Sequence, residues 1–407
     1  MKKIKGYIII VLTLMLFSCS YKDKYNLVPL QDMSAVAYNL KLTGPAVNID
    51  TMAYTIVEKQ DKFFLAAFDT QGKVYLINDV SNLFTGDFAY DKLLKIEYYY
   101  RQGLFWVFMK SENVRYPFKI AEINPSDGTV IKEFMPSLPR NPSVIKNRFI
   151  APAFSDTSLK VFVLQEYLDS LQRFHKHIIK YAYQGDSLVP VSYWNMDSTG
   201  VLTVWYQFIL NNDKLYFYLV QDYEVNDLIY AFCYDEKTDS MSAKVLTDYF
   251  LPIYYVNLYP GQIFVTVHAP QNYFFPAIYD LNRYSYVVKF LKQKYNNYVA
   301  LAGITHQDTT LTVGYVSQVF FDNFNFANYK RINGVFSSAA FIYNDVMSGS
   351  ADTLIFTKKE ALNDFIPYGI MDNGKGYTII ARTDAFSYFP GVIVLKTDYS
   401  GKTVNAF

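Results

Sequence analysis

Cysteine is almost missing from this chain: Cys19 and Cys233 are the two in 407 residues. That count excludes a disulfide-stapled scaffold and a cysteine-based zinc site. Histidine is scarce too, with four copies, and no H-E-x-x-H, G-x-S-x-G, P-loop or G-x-G-x-x-G occurs. No calcium loop of the D-x-[DN]-x-[DN]-G kind is present either. No cofactor and no metal are therefore expected. Charge is sparse at 18%, and 38 basic residues nearly cancel 37 acidic ones. A nucleic-acid partner would need a basic patch or stripe, so none is expected. Long apolar runs are also lacking. A bilayer-spanning helix needs about 20 apolar residues, and the longest stretch, Tyr7 to Phe17, is roughly half that and is interrupted by Thr13.

That short stretch follows Lys2, Lys3 and Lys5. A basic start and a short apolar core form a signal peptide rather than a membrane anchor. "LFSC", Leu16 to Cys19, then resembles the lipobox of bacterial lipoproteins: an aliphatic residue at −3, a small one at −1, then the cysteine. Phe17 departs from the small or β-branched residue usual at −2. The resemblance implies cleavage before Cys19, lipid attachment at Cys19 and a membrane partner through that lipid. Buried acyl chains contribute about 0.8 kcal/mol per CH₂, so stable anchoring needs more than one chain. Residues 1–18 read as the signal, 19–33 as a tether broken by Pro29, and 34–407 as a single domain. Ser20, with no Asp after Cys19, matches the pattern that permits sorting to the outer membrane. "SYKDK" is faintly similar to acidic surface-export tags, which leaves periplasmic-facing and surface-facing placements open. Loss of residues 1–18 leaves 35 basic against 37 acidic residues. With Cys19 acylated, Cys233 in "LIYAFCYDE" has no pairing partner and reads as a small buried hydrophobe.

What abounds is tyrosine and phenylalanine, 38 and 33 copies, in a chain that is 51% apolar. Flat rings favour pleated surfaces, and tyrosine suits positions with one dry and one wet side. Period-2 alternation recurs: Ile263, Val265 and Val267 share one face of "QIFVTVHA", and Leu311, Val313 and Tyr315 one face of "TLTVGYVS". "KLYFYLVQD", "LFWVFMK" and "GYTIIART" are apolar on both faces, as strands between two layers are. Hairpin signatures turn near Asp69, Asn124, Gln184, Asp235, Asp280, Asp345 and Asp398, the last in "VIVLKTDYSGKTVNAF". Successive separations of 55, 60, 51, 45, 65 and 53 residues follow from those positions. A period near 50 with two hairpins per unit predicts an all-β fold: a β-propeller of four-stranded blades. Seven blades are favoured. Six is the alternative, if the first hairpin completes the last blade; a sandwich is the competing architecture. "VLQEYLDSLQRFHKHI" has helical spacing, but the repeat register favours two strands. "TKKEALNDF", with Thr357 and Glu360 at capping-box spacing, predicts one short helix before Pro367.

No catalytic residue is assigned. His175 and His177 in "RFHKHII" share a strand face that could pinch a metal, yet no acidic or histidine partner lies nearby in sequence. His268 reads as a strand-end residue and His306 as an exposed turn residue. The candidate ligand loop is "FFDNFNFANYKR": Asp322, Asn323, Asn325 and Asn328 can hydrogen-bond hydroxyls, while Phe324 and Tyr329 can stack on sugar rings. A blade-connecting loop packed by its own aromatics has the same composition, and "HAPQNYFFP" shares the ambiguity. Carboxylate pairs for glycoside hydrolysis need only spatial proximity and leave no trace in sequence.

The lipobox, the Tyr/Phe/Asn-rich strands and the blade-length hairpins together resemble the Bacteroidota-type lipoproteins predicted to fold as TolB-like, six- to seven-bladed propellers. The resemblance implies a fold and an envelope location, and no residue-level chemistry. Three functions follow as alternatives. The first is a non-catalytic binding or scaffold module for a protein or glycan. The second is a carbohydrate-active enzyme, a glycosidase or polysaccharide lyase, and the third a sensory or assembly partner of an envelope complex. The first is favoured, because nucleophile and metal signatures are missing.

Overall fold

The computed structural model describes residues 27–29, 35–111, 113 and 116–135, and then the strands between 144 and 399 with a few turn residues. Side chains are described mainly over 38–135, in parts of 160–194, 214–216 and 232–244, and over 368–382 and 391–399.

Among the described residues the strands pair into seven sheets, taken here in chain order. Sheet 1 starts with Lys41–Leu42 and Val47–Ile49, both on Met52–Lys59, and continues through Lys62–Asp69 to Val74–Asp79. Sheet 2 runs Leu93–Arg101, Leu104–Ser111, Phe118–Ile123, Val130–Phe134. Sheet 3 spans Val144–Phe154 to Ser187–Asn195, sheet 4 Thr203–Asn211 to Ser240–Leu246, and sheet 5 Leu251–Tyr259 to Tyr286–Phe290, each as a four-strand meander. Sheet 6 contains Tyr298–His306, Thr309–Val316, Ser337–Asp345 and Ser350–Thr357. Sheet 7 contains Phe365–Asp372, Gly376–Thr383 and Gly391–Asp398, and is completed by Ala35–Tyr38 from the other end of the chain.

The expected all-β class holds. The hairpin around Asp69 lies in a sheet with its own first strands, and the strand that completes the last sheet comes from before it. The returning strand of the hairpin predicted around Asp398 lies outside the described residues. Its first strand is Gly391–Asp398, whose edge over 392–395 pairs with Ala35–Tyr38. Within the stretch read as a tether, Leu27–Pro29 pairs in parallel with Ile355–Thr357 on the outer edge of sheet 6. Pro29 is tolerated there because an edge position needs no donor on its outer side. "VLQEYLDSLQRFHKHI" forms strands Leu159–Leu168 and Phe174–Gln184, as the repeat register predicted. His306 closes strand Tyr298–His306 rather than sitting in a turn, because its partner is Thr309 on the returning strand. The predicted helix over 357–365 falls mostly outside the described residues; Thr357 ends one strand and Phe365 starts the next, and Pro367 lies within it.

The core lies between sheets, and period-2 alternation assigns each residue to a side. On Met52–Lys59, Ile56 packs with Leu65, Phe105 and Val107 toward sheet 2. Its neighbour Val57 packs with Phe68, Ile380 and Val394 toward sheet 7. A further layer joins sheets 2 and 3 through Phe108, Phe118, Val161 and Ile179. Each such side chain, fully buried, contributes about 1.5–3 kcal/mol. The middle strands are apolar on both faces for this reason: Phe105 to Met109 are all buried, whereas the outermost strand of the same sheet leaves Ile131 54% exposed.

Turn chemistry pins the hairpins. The Asp69 carboxylate accepts the Gln71 and Lys73 amides, both at 2.9 Å, and Asn124 Oδ1 accepts the Ser126 amide at 3.1 Å. Such Asx turns are the physical reason the sequence period is punctuated by Asp and Asn. Gly72 has φ +80°, a backbone region that suits glycine, and a Cβ there would lie 2.5 Å from Val394 Cγ1 of sheet 7.

Candidate functional site

Sheet 1 touches sheet 7 along a seam that chain order alone would not place together. The Ala46 amide donates to the Tyr368 carbonyl at 2.8 Å, and Asn48 Nδ2 to the Ile370 carbonyl at 2.8 Å. At the turn after Asp69, Thr378 Oγ1 donates to Thr70 O at 2.6 Å, Tyr38 Oη to Gly72 O at 2.8 Å and Lys396 Nζ to Gln71 Oε1 at 3.1 Å. Burial lowers the Lys396 pKa from its ordinary value, and nearby Asp69 opposes that shift.

The seam is polar where the first strand of sheet 1 breaks. Thr43, Gly44, Pro45 and Ala46 interrupt the pairing between Lys41–Leu42 and Val47–Ile49. Proline cannot donate to a ladder, and the break frees the Thr43 and Gly44 carbonyls for side chains. Thr55 Oγ1 donates to Gly44 O at 3.1 Å. Thr43 Oγ1 donates to Ile56 O at 2.7 Å and shares a short hydrogen bond with the Tyr98 hydroxyl. Tyr98 is buried, and desolvation holds its hydroxyl far above the ordinary tyrosine range.

Above this network sits Tyr90, on the three short 3₁₀ turns that link sheets 1 and 2. Its ring packs on Phe63 and Phe84, with centroids at 5.6 and 6.3 Å. Its hydroxyl donates to the Thr43 carbonyl at 3.4 Å. Lys41 Nζ lies 4.9 Å from the ring centroid and 2.7 Å from Glu58 Oε2. Burial raises the Tyr90 pKa, the Arg382 charge draws it back and Glu58 pushes it up again. The half-buried Tyr90 is thus the meeting point of one guanidinium, one ammonium and one carboxylate. On the same linker, Asp87, Asp91, Lys92, Leu93, Leu94 and Asn113 line an open cleft of about 330 Å³, across which Asn113 Nδ2 donates to Asp87 Oδ2 at 2.7 Å.

A second polar cluster lies between sheets 3 and 4. Lys160 Nζ and Lys180 Nζ both stand 3.4 Å from the Tyr234 hydroxyl. Lys180 is 3% exposed and faces the rings of Tyr234 and Trp194 at 5.2 and 5.8 Å. Ring faces and a phenol oxygen stabilise these cations across the interface, a structural role.

Of the residues singled out in the sequence, Cys19 and the loop residues Asp322, Asn323, Phe324, Asn325, Asn328 and Tyr329 lie outside the described residues. His175 and His177 sit two apart on strand Phe174–Gln184, both half-buried; among the described residues no three His, Cys, Asp or Glu side chains gather to hold a metal. His268 pairs with Leu251 and Phe274 inside sheet 5. Cys233 is buried, and burial raises its thiol pKa. Lys41, Glu58, Tyr90 and Arg382 had no signal in the sequence. Lys41, Glu58 and Tyr90 come together within sheet 1 and the linker after it, whereas Arg382 lies 341 positions after Lys41, on sheet 7.

No family model matches the chain, and no curated protein does. Solved structures do match it. The β-propeller domain of the Trilobed protease from Pyrococcus furiosus covers 92% of this chain and 98% of its own, at 7% identity and a TM-score of 0.48. A prolyl endopeptidase covers 91% of this chain and 48% of its own, at 9% identity and a TM-score of 0.51. The fold is of the β-propeller kind. The WD40 domain of SCAP from fission yeast also matches this propeller, at 8% identity and a TM-score of 0.41 over 92% of this chain and 95% of that one. At such identities the likeness concerns the fold alone.

Proposed function

We propose that the chain is an outer-membrane lipoprotein, tethered through Cys19, whose seven-bladed propeller is a non-catalytic module that binds a glycan or a protein at the cell envelope. Supporting the seven-bladed ring are the seven sheets in chain order, the contacts between the first strands of neighbouring sheets, and the adjacency of sheets 1 and 7. The lipobox-like Leu16–Cys19 stretch supports the tether.

The observation that carries the binding reading is the Tyr90 cluster. Propellers offer ligands the ends of their inner strands, and here a broken inner strand, an aromatic ring and three charged groups of both signs meet at such an end. Mixed donors and acceptors around an aromatic suit a hydroxyl-rich or polar partner.

Two measurements test the proposal. Mass spectrometry of the mature N-terminus is expected to find an acylated Cys19, and Cys19→Ala to move the protein from the membrane fraction to the soluble one; an unmodified terminus removes the tether. A glycan array probed with the mature chain is expected to give signals that Tyr90→Ala abolishes. Signals indifferent to Tyr90 place binding elsewhere on the ring.

A further inference from the structure

The geometry points to the cleft on the linker between sheets 1 and 2 as the seat for one unit of a neutral, hydroxyl-rich oligosaccharide; this deepens the glycan reading above and rests on it. The cleft measures about 330 Å³ and is lined by Asp87, Asp91, Lys92, Leu93, Leu94 and Asn113. That is the lower end of the roughly 300–1,000 Å³ usual for small-molecule sites, room for a single ring with the rest of a chain leaving through the open side. Its walls are fixed from beneath. Leu83, Phe84 and Phe88 of the same linker are buried in the core between sheets 1 and 2, so the exposed Asp87 and Asp91 ride on an anchored backbone. Asn113 is held at both ends of its amide: Oδ1 accepts the Tyr116 amide at 3.0 Å, and Nδ2 donates to Asp87 Oδ2 at 2.7 Å. Lys92 Nζ donates to the Gly86 carbonyl at 3.3 Å, which uses one of its three hydrogens. Asp87 Oδ1 and both carboxylate oxygens of Asp91 accept no hydrogen bond among the described residues.

This lining separates classes of ligand. The open carboxylate oxygens accept from hydroxyls, and the remaining Lys92 hydrogens donate to hydroxyl or ring oxygens, so a sugar's alternating donors and acceptors are met on both sides. Leu93 and Leu94, the latter 39% exposed, give C–H surface to the apolar side of a ring. An acidic sugar meets two carboxylates against one ammonium and is repelled. A metal ion needs more oxygen ligands than two carboxylates supply, and among the described residues no third His, Cys, Asp or Glu joins them. A cationic peptide would satisfy the carboxylates but bring its charge against Lys92.

The test is isothermal titration of the full mature chain, in a detergent without a sugar headgroup, with maltotriose, mannotriose, trigalacturonic acid and a tri-arginine peptide. At least one neutral trisaccharide is expected to bind, and trigalacturonic acid to bind more weakly than it. Asp91→Asn, an isosteric change at an exposed position, is expected to weaken neutral-sugar binding about 10- to 100-fold, the range of hydrogen bonds to a charged group, with the melting temperature unchanged. Tightest binding by tri-arginine overturns the choice of a sugar, and trigalacturonic acid binding as well as the neutral sugars overturns the claim of neutrality; the wild-type chain alone decides both. Neutral-sugar binding that survives Asp91→Asn overturns the site and leaves the glycan reading standing, as does silence toward both neutral sugars when the glycan array gives signals. Silence toward both with a blank array overturns this inference and the glycan reading together.

Discussion

Gly72→Ala is the sharpest probe of how sheets 1 and 7 are held together. At φ +80° an alanine incurs about 1–2 kcal/mol of backbone strain. Its Cβ would also stand 2.5 Å from Val394 Cγ1. Val394 is 2% exposed, β-branched and packed in the layer between sheets 1 and 7, so it has little room to yield. Overpacking of this kind costs about 1–3 kcal/mol, which brings the expected loss to about 2–5 kcal/mol. Val394→Ala alone is expected to cost about 2–3 kcal/mol in lost burial and residual cavity. In the double variant the alanine at 72 fills part of the space vacated at 394, so only the backbone strain remains. The combined loss should fall short of the sum by about 1–3 kcal/mol. The assay is urea unfolding followed by both tryptophan fluorescence and far-ultraviolet circular dichroism, whose coincidence licenses a free-energy comparison. Additivity within about 0.5 kcal/mol would refute the claim that the Gly72 turn presses on Val394.

Lys119 is 6% exposed and makes an ion pair with Glu133 at 2.5 Å while donating to the Leu83 carbonyl at 3.0 Å. Glu133→Ala leaves a buried ammonium with that one acceptor and is expected to cost about 2–3 kcal/mol, whereas Lys119→Met, which removes the buried charge, costs about 1 kcal/mol. The opposite ranking in urea melts would show that the pair is incidental. Burial, with Asp372 and Tyr399 nearby, pushes the Tyr377 hydroxyl pKa up to about 12. Since the folded value lies above the unfolded one near 10, the protonated phenol's contribution is fully present below pH 10 and is lost as pH rises from 10 toward 12. Tyr377→Phe is therefore expected to flatten stability across that alkaline window, and an unchanged slope would contradict the burial argument.

How much of this was legible in the sequence differs by length scale. Turns and strands were readable because Asp and Asn hold local hydrogen bonds: the Asp69 and Asn124 turns fall where the period placed them. Apolar runs such as Phe105 to Met109 announced strands sandwiched between layers. The closure was not readable, since "SAVAY" near the start and "GVIVLKTD" near the end carry no mark that assigns them to each other. For the same reason the sequence did not announce that Ala35–Tyr38 lines the edge of Gly391–Asp398, or that Leu27–Pro29 pairs with Ile355–Thr357. The Tyr90 cluster was invisible on the same grounds. Lys41, Glu58, Tyr90 and Arg382 are ordinary surface residues in their local context, and they gain meaning from a contact made across almost the whole chain.

Strand Ala35–Tyr38 is among the first parts of the domain to be synthesised, yet its partner Gly391–Asp398 is among the last. Loop closure over such a distance is slow and follows the formation of nearer contacts. Until translation is nearly complete, two bare strand edges stand open to any passing chain. A chain interrupted before Gly391 lacks the partner of Ala35–Tyr38, so the last sheet is completed by segments made far apart in time.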